Sequence, residues 1–285
     1  NSVAESGVGS MTIRALATDL DGTLIPLAGN TQNESDLTTL HALLQEYGIP
    51  LVFVTGRHWE SVAEAIPDFK LPTPHAVICD VGTTILESGA GGELTVQQEY
   101  QQRLNQLVAK WSADALKAEL SAVPNVRLQE DEKQGPFKIS FYTNAAELEL
   151  HASAIQTVLT EKAAPWNLIS SVDPFNGDGL IDLLPQGVSK SYAIDWFAKR
   201  NQWKPDQIIF TGDSGNDLAA LTTGFRAAIV ANASESVVQA ARDAHQSAAW
   251  SDRLFECELP ATSGVLEAVR HYLRLPVNPS SSQQK

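Results

Sequence analysis

Basic residues are scarce in this sequence. It has 20 Lys and Arg against 34 Asp and Glu, which gives a formal net charge of −14 at pH 7. Nucleic acids and anionic membranes bind basic surfaces, so this balance argues against both as partners. A phosphorylated substrate would also be repelled at long range, and a site for one would therefore have to supply its own local cation.

Long apolar runs and cysteines are scarce as well. No apolar run approaches the roughly 20 residues that span a bilayer, and the opening residues do not form a charged-then-apolar signal pattern. The two cysteines, Cys79 and Cys257, are too few for a disulfide framework or a metal set. Cys79 lies in an apolar run, so we expect a buried structural thiol. These features predict a cytoplasmic protein with no membrane partner.

Short β-rich runs alternate with amphipathic helical stretches along much of the chain. This order predicts an α/β fold, a Rossmann-like core with a mainly parallel sheet. Residues 11–86 and 186–272 would form this core. Residues 87–185 have a different, α+β texture and would be an inserted cap domain that sets substrate specificity. Strands are predicted at 13–18, 49–54, 76–79, 208–211 and 227–230.

Segments that join or flank these parts can also be predicted. The Gly-rich residues 88–92 would be a hinge into the cap, and one long helix would run from Val96 to about Leu120. A helix beginning at Trp59 would stop at Pro67. Residues 1–10 are expected to be a disordered lead-in or tag remnant, and residues 273–285 a flexible tail.

Two carboxylates follow the first predicted strand, in Asp19-Leu20-Asp21-Gly22-Thr23. Residues i and i+2 of a strand point the same way, so both would leave the strand end on one side, where open α/β sheets bind ligands. One carboxylate could attack an electrophile while the other transfers protons. The alternative is an Asx turn that only ends the strand.

A glycine-rich acidic turn, Gly212–Asp217, follows the predicted strand at 208–211. Its glycines allow a sharp turn, so Asp213, Asn216 and Asp217 could converge on one point. Such oxygen ligands suit a hard cation such as Mg²⁺. The alternative is a polar loop with capping residues.

Two further segments could hold a phosphate. Thr55-Gly56-Arg57 stands between a strand and a helix, where a hydroxyl and free backbone N–H groups can bind an anion. Lys190 precedes a predicted helix and could meet phosphoryl charge. Taken alone, the first is also typical of an ordinary turn and the second of a surface lysine.

These four segments, in this order, resemble the motifs of the haloacid dehalogenase (HAD)-type phosphatases over residues 11–85 and 186–272. The position of the cap resembles the branch with α/β caps, which contains many sugar phosphatases. Within that branch the chain resembles the sucrose-phosphate phosphatases. The stretches that carry this likeness are Val81-Gly82-Thr83, 136–141, 180–185 and Gly212–Asp217. Thr84 departs from the pattern, because plant members look to have an acid there, and residues 173–179 are longer than in bacterial members.

The resemblance implies a magnesium-dependent reaction through an aspartyl-phosphate. Asp19 would be the nucleophile and a metal ligand. Asp21 would be the general acid and base, and would bind the metal through its backbone carbonyl. Asp213 would complete the metal site.

The resemblance also implies how the phosphate is held. Thr55, Gly56 and Lys190 would bind the phosphoryl group together with Asn216. Asp217 would support phosphate, lysine or metal-bound water.

Four residues are candidates for contact with the rest of the substrate. Lys138, on a predicted cap strand, could donate to sugar hydroxyls or phosphate, or be an exposed strand lysine. Asn176 and Asp178 could contact sugar, although turn chemistry explains them equally well. Arg57 could meet substrate or pair with a surface acid.

The function that this resemblance implies is hydrolysis of a sugar phosphate, in the first place sucrose 6-phosphate to sucrose and phosphate. Three alternatives stay open: a sugar phosphatase of broader specificity, a phosphohexomutase, and a sugar-phosphate-binding module attached to a synthase. The expected partners are a small sugar phosphate and, in the last case, that synthase.

Overall fold

The computed structural model describes residues 12–173 and 176–276. The chain divides into two compact units, one of Asn1–Leu51 with Ala198–Lys285 and the other of Val52–Phe197; we call them the first and second units. The predicted lead-in at 1–10 and all but the start of the predicted tail at 273–285 lie outside the described residues.

The described residues contain strands and helices in alternation. The strands are β1 Ala15–Thr18, β2 Leu51–Val54, β3 Ala76–Cys79, β4 Thr84–Ser88, β5 Leu94–Val96, β6 Arg127–Leu128, β7 Ile139–Thr143, β8 Trp166–Val172, β9 Gly179–Pro185, β10 Ile208–Gly212, β11 Arg226–Ile229 and β12 Leu254–Glu256. The α-helices are α1 Thr31–Glu46, α2 Trp59–Asp68, α3 Gln98–Val108, α4 Ala113–Leu120, α5 Leu148–Glu161, α6 Lys190–Arg200, α7 Leu218–Leu221, α8 Glu235–Ser247 and α9 Ala261–Tyr272.

Parallel strands form the sheet of the first unit. The order is β12-β11-β10-β1, and each neighbouring pair is parallel, with Thr18 opposite Thr211 and Gly212 opposite Ile229. Every residue of β1, β10 and β11 is buried, as expected of strands covered on both faces. The carboxyl ends of these strands therefore share one edge of the sheet.

Helices α1 and α9 pack together in the first unit. The buried side chain of Asn33 in α1 links them, because its Nδ2 donates to the carbonyl of Pro260 and to Ser263 Oγ at 2.7 Å. Thr262 Oγ1 in α9 donates to the carbonyl of Leu24 at 2.7 Å. These contacts fix the segment that follows β1 against α9.

The second unit contains strands of both kinds. Its β2 and β3 are parallel, whereas β3-β4 and β4-β5 are antiparallel. A separate antiparallel sheet has the order β6-β7-β9-β8, with α5 packed against β8. All four of its strands fall within the predicted cap, residues 87–185. The α/β class with a mostly parallel sheet is confirmed; the domain boundaries stay predictions.

Two predicted connections were wrong. The helix expected from Val96 to Leu120 is two helices, α3 and α4. Ala109 has φ +50° at the end of α3, a conformation that ends a right-handed helix, and Ser112 Oγ then caps α4 by accepting from Ala115 N. The Gly-rich stretch 88–92 forms the turn between antiparallel β4 and β5, with Ser88 paired to Leu94, and not a hinge.

The end of α2 also differs from the prediction. Pro67 lies inside this helix, which ends at Asp68. The last turn stays closed because Phe69 N donates to the carbonyl of Ala65 at 3.0 Å. Among the described residues, no helix has both the length and the apolar character needed to cross a membrane. The cytoplasmic location stays a prediction.

Candidate active site

Asp19 is held at the carboxyl end of β1 by the neighbouring strand. Its backbone N–H donates to the carbonyl of Thr211 in β10 at 3.0 Å. Thr18 Oγ1 donates to the carbonyl of Asp19 at 2.9 Å, and itself accepts from Thr211 Oγ1 at 2.6 Å. Asp19 is 6% exposed. The backbone of Asp19 is therefore fixed at the carboxyl end of β1, and the residue has little access to bulk water.

The segment after Asp19 turns back sharply instead of continuing the strand. Leu24 N donates to the carbonyl of Asp19 at 3.2 Å, and the turn needs φ +72° at Gly22, which glycine adopts without strain. Because β1 ends at Thr18, the strand alternation does not extend to Asp21. Asp19 is buried and Asp21 is exposed, so the premise that one strand would aim both side chains the same way was wrong. The roles of both stay predictions.

The turn at Gly22 lies directly against Asp213. A Cβ atom placed on Gly22 would be 2.5 Å from Asp213 Oδ2, so only glycine leaves room for this carboxylate. Thr23 Oγ1 donates to Asp213 Oδ1 at 3.0 Å. Asn232 holds the turn from the other side, since its Nδ2 donates to the carbonyl of Gly22 and its Oδ1 accepts from Ala261 N, both at 2.8 Å.

The loop after β10 is organised around Asp217. This carboxylate is completely buried, and its Oδ2 accepts from Asp213 N, Ser214 N and Ser214 Oγ at 3.0, 3.1 and 3.2 Å. The backbone of Gly212 passes so close to Asp217 that a Cβ would lie 2.6 Å from its Cγ. Asn216 is exposed in the same turn.

Three carboxylates of the first unit converge. Oxygens of Asp19, Asp213 and Asp217 all lie within 4.8 Å of one another. Oxygens bound to Mg²⁺ at about 2.1 Å lie at most about 4.2 Å apart across an octahedron, so small movements of this set would fit the ion. Carboxylate oxygens are also the ligands that Mg²⁺ prefers. The residues present therefore fit a magnesium site.

The Thr55-Gly56-Arg57 segment of the second unit follows β2. Thr55 is buried; its N–H donates to the carbonyl of Ile78 at 2.8 Å, and its Oγ1 accepts from Arg57 N at 3.1 Å. Arg57 Nη1 donates to Ser61 Oγ at 2.9 Å. This arrangement is a hydroxyl-capped turn at a strand end, which agrees with the alternative that the sequence left open; the phosphate-binding role of Thr55 and Gly56 stays a prediction.

Lys190 begins α6 and is 2% exposed. The backbone ahead of it packs against Gly82, where a Cβ would be 2.3 Å from the carbonyl oxygen of Ser189 and 2.9 Å from Lys190 N. Gly82 has φ +100°, and its carbonyl accepts from the hydroxyl of Tyr100 at 2.6 Å. A surface position for Lys190 is thereby excluded.

The residues proposed to meet the rest of the substrate all belong to the second unit. Lys138 lies just before β7, is buried, and has its Nζ 3.6 Å from Asp80 Oδ1. Burial raises the pKa of the Asp80 carboxyl, and the Lys138 charge opposes this shift. The Asn176 amide oxygen accepts from Asp178 N at 2.9 Å, which is turn chemistry.

Three residues whose contacts are described above had no role predicted from the sequence: Thr23, Asn232 and Asp80. Asn232 follows the parallel strand β11, so the strand-end rule that found Asp213 would have found it too. Asp80 follows β3 in the same way. Thr23 was part of a recognised motif, but its bond to Asp213 spans 190 positions and has no local signal.

A parallel sheet with carboxylates at its strand ends is the arrangement that the resemblance to the HAD-type family implied. The structure is similar to that of the sucrose-phosphatase from Synechocystis sp. PCC6803 in complex with sucrose and phosphate, with a TM-score of 0.70, 24% identity, and 92% of this chain and 98% of that chain covered. Residues 13–273 match the family model described as sucrose-6F-phosphate phosphohydrolase. The chain belongs to this family.

Curated relatives agree with this assignment. A protein of Nitrosococcus oceani named as a HAD-like hydrolase is 33% identical over 79% of this chain and 61% of its own length. The mannosylfructose-phosphate phosphatase of Agrobacterium fabrum is 28% identical over 91% and 97%. The glucosylglycerol-phosphate synthase of Pseudomonas anguilliseptica is 29% identical over 90% of this chain but only 30% of its own length. The chain thus spans less than two thirds of the length of some of these relatives.

Proposed function

We propose that this protein hydrolyses the phosphate monoester of a small glycoside, with sucrose 6-phosphate as the leading candidate. The observation that carries the proposal is the convergence of Asp19, Asp213 and Asp217 at the carboxyl ends of parallel strands, in a chain of a phosphohydrolase family. The family description and the phosphatases among the relatives support the reaction type.

Asp19 is the proposed nucleophile. Its carboxylate oxygen attacks phosphorus, the bond from phosphorus to the sugar oxygen breaks, and an aspartyl-phosphate forms. The burial of Asp19 and the hydrogen bond from its backbone N–H to Thr211 support this role, because they fix the main chain that carries the attacking oxygen. Asp21 donates the proton that the leaving sugar oxygen needs. It then takes a proton from the water that attacks the aspartyl-phosphate and releases inorganic phosphate.

Mg²⁺, when bound by Asp19, Asp213 and the backbone carbonyl of Asp21, would neutralise negative charge on the phosphate and the surrounding carboxylates. Such a local cation would offset the long-range repulsion between a phosphorylated substrate and a chain with a net charge of −14. Asp217 orders the loop that carries Asp213. Thr55, Gly56, Lys190 and Asn216 are the proposed phosphate-binding residues.

The choice of sugar is the finer part of the proposal. Sucrose 6-phosphate is supported by the family description and by the sucrose that accompanies phosphate in the Synechocystis enzyme. Mannosylfructose phosphate and glucosylglycerol phosphate are named in two relatives. Association with a synthase that makes the substrate is supported by the synthase relative alone.

Phosphate release tests the proposal. The purified chain is incubated with Mg²⁺ and each of these three compounds, and with glucose 6-phosphate as a monosaccharide control. We expect phosphate from at least one glycoside phosphate, with loss of activity on chelation by EDTA and recovery with added Mg²⁺. No phosphate from any of them would overturn the proposal, and an isomeric phosphosugar without free phosphate would identify a mutase.

Asp19→Asn tests the nucleophile. The amide cannot form the aspartyl-phosphate, so turnover should fall to the background rate while the thermal midpoint changes little. Asp36→Asn is the matched control, because Asp36 is a half-buried carboxylate on α1 whose Oδ1 accepts a solvent-exposed hydrogen bond from Gln32 Nε2. Substantial turnover by Asp19→Asn would assign the nucleophile to another residue.

A further inference from the structure

Asn232 is an exposed residue between β11 and α8 that the mechanism above does not use. Its side-chain amide makes two hydrogen bonds of 2.8 Å: Nδ2 donates to the carbonyl of Gly22, and Oδ1 accepts from Ala261 N. Exchange of the amide oxygen and nitrogen would set donor against donor and acceptor against acceptor, so only one orientation makes both bonds. The amide is therefore a bridge that is fixed at both ends, and all three residues belong to the first unit.

The Ala261 end of this bridge is anchored in a packed part of the unit. Ala261 is completely buried and is the first residue of α9, with φ +46°. Backbone N–H groups in the first turn of a helix have no acceptor within the helix, and the Asn232 amide supplies one here. The next residue, Thr262, donates its hydroxyl to the carbonyl of Leu24 at 2.7 Å. The start of α9 therefore holds the turn after β1 at two points, once directly and once through Asn232.

The Gly22 end lies at the tip of that turn. Its base is closed by the hydrogen bond from Leu24 N to the carbonyl of Asp19. At the tip, Asp21 and Gly22 have the backbone angles of a type II turn, −68° and 127° followed by 72° and −3°. Thr23 then donates to Asp213 Oδ1 at 3.0 Å. The tip thus carries the proposed backbone ligand and also touches a proposed carboxylate ligand, so its displacement would change their relative positions.

We propose that Asn232 is a positioning residue for the metal site. It touches neither the ion nor the substrate. It holds the Gly22 carbonyl, and with it the tip of the turn, in the place where the Asp21 carbonyl and Asp213 can bind one ion together. The inference rests on the proposed function, because it concerns the ion that the proposed reaction uses.

Loss of the bridge should weaken the metal site without abolishing it. Residues that orient metal ligands typically contribute about 10–100-fold to metal affinity. Asp19 and Asp213 are also fixed by their strands, so we expect the lower end of this range, about tenfold. If the ion binds only when the tip is in place, the apparent dissociation constant rises as the fraction of molecules in that state falls. A high ion concentration should then bring the tip back.

Direct binding of a metal ion tests the proposal without a substrate. Mn²⁺ takes the same oxygen ligands as Mg²⁺, and the concentration of free Mn²⁺ can be followed by electron paramagnetic resonance during a titration of the purified chain. The dissociation constant should rise about tenfold in Asn232→Ala. Asn144→Ala is the matched control and should bind Mn²⁺ as wild type does, because the exposed Asn144 also accepts through Oδ1, from Ala146 N, but lies in the second unit.

A second variant, Asn232→Asp, separates the two ends of the bridge. Its carboxylate can still accept from Ala261 N but cannot donate to the Gly22 carbonyl. The added negative charge by itself attracts a cation, so charge alone predicts tighter binding of Mn²⁺, whereas loss of the Gly22 contact predicts weaker binding. A dissociation constant above that of wild type supports the proposal. A value equal to that of wild type, or below it, would overturn it.

The position of the bound ion and the kinetic effect can both be checked. Asp213→Asn should weaken Mn²⁺ binding more than Asn232→Ala does, because it replaces a proposed ligand. Unchanged binding in Asp213→Asn would show that the ion lies elsewhere and would overturn the inference. In phosphate release, Asn232→Ala should need about tenfold more Mg²⁺ for its half-maximal rate and reach a kcat within about twofold of wild type. A reduced kcat with an unchanged Mg²⁺ requirement would contradict a positioning role.

The inference and the proposed function can fail separately. A wild-type protein that binds Mn²⁺ but releases no phosphate from any glycoside phosphate would reject the function, and weaker Mn²⁺ binding by Asn232→Ala would still support the role of Asn232. Equal dissociation constants for wild type and Asn232→Ala, or no binding of Mn²⁺ by wild type, would reject that role even if phosphate is released.

Discussion

Replacing Gly22 with alanine should damage the proposed metal site by a mechanism that can be isolated. Gly22 has φ +72°, and its added Cβ would lie 2.5 Å from Asp213 Oδ2. Gly29 has φ +73° and belongs to the same unit, but a Cβ there would meet nothing within 4 Å. Gly22→Ala and Gly29→Ala thus impose the same backbone strain, and only the first displaces a carboxylate.

The two effects have different expected sizes. An L-residue in the left-handed region costs about 1–2 kcal/mol, so both variants should be destabilised by that amount. An ordinary contact begins near 3.4 Å, so Asp213 Oδ2 must retreat by about 0.9 Å in Gly22→Ala. Misplacement by about 1 Å can cost about 100-fold in rate, which corresponds to about 2.7 kcal/mol of transition-state stabilisation.

The assay measures urea unfolding and Mg²⁺-dependent phosphate release for wild type and both variants. We expect similar losses of unfolding free energy in the two variants. Gly22→Ala should lose about 100-fold in kcat/KM and need more Mg²⁺ for half-maximal rate, whereas Gly29→Ala should keep its kinetic constants within about twofold.

Two results would refute this reasoning. Full activity in Gly22→Ala would mean that the position of Asp213 does not matter to the reaction, or that the turn relaxes away from it. Equal kinetic losses in the two variants would mean that backbone strain alone, and not displacement of the carboxylate, accounts for the effect.

Two further predictions concern the interior of the protein. Asp217→Asn removes the negative charge that accepts hydrogen bonds from Asp213 N, Ser214 N and Ser214 Oγ, and should lower the unfolding free energy by about 2 kcal/mol. The control Asp243→Asn affects one exposed hydrogen bond from Gln239 and should change the unfolding free energy by less than about 0.5 kcal/mol. Equal effects of the two variants in urea unfolding would contradict the role of Asp217 in ordering its loop. Burial raises the pKa of both Cys79 and Cys257, so Ellman's reagent at pH 8 should modify neither thiol in the folded protein and both in guanidinium chloride; rapid labelling of the folded protein would show that these thiols are accessible.

The central strands could be predicted because their sequences are continuous apolar runs that end at polar or glycine residues. This signal located β1, β2, β3, β10 and β11 to within about two residues. It failed for β6, which has two residues, both exposed, and for β12, which has three residues of mixed polarity. Such short strands are defined by their partners, and a partner is not visible in the local sequence.

The break between α3 and α4 shows a second limit. Apolar residues continue at helical spacing across it, and neither glycine nor proline marks it. The residue with positive φ is Ala109, at the end of α3. Local propensity gives no warning of such a break, because tertiary contacts override it.

Part of the candidate site followed from strand ends alone. Asp19 directly follows β1, and Asp213 directly follows β10. The parallel pairing of these two strands brings the two aspartates together. The Asp80–Lys138 pair could not be found in this way. It joins a turn of residues with positive φ to the position before β7, 58 positions further along the chain, and no local pattern in the sequence encodes this contact.

Asp217 raises the question of which carboxylates would hold the ion. Its oxygens lie within reach of the same point as those of Asp19 and Asp213, yet Oδ2 already accepts three hydrogen bonds. Those donors offset much of its negative charge, whereas Mg²⁺ binds few carboxylates and keeps several waters. Asp213 is only part-buried, and its Oδ1 accepts a hydrogen bond from the Thr23 hydroxyl. We therefore expect Asp213 to ligate the ion and Asp217 to fix the loop, so that extra Mg²⁺ should restore more activity to Asp213→Asn than to Asp217→Asn.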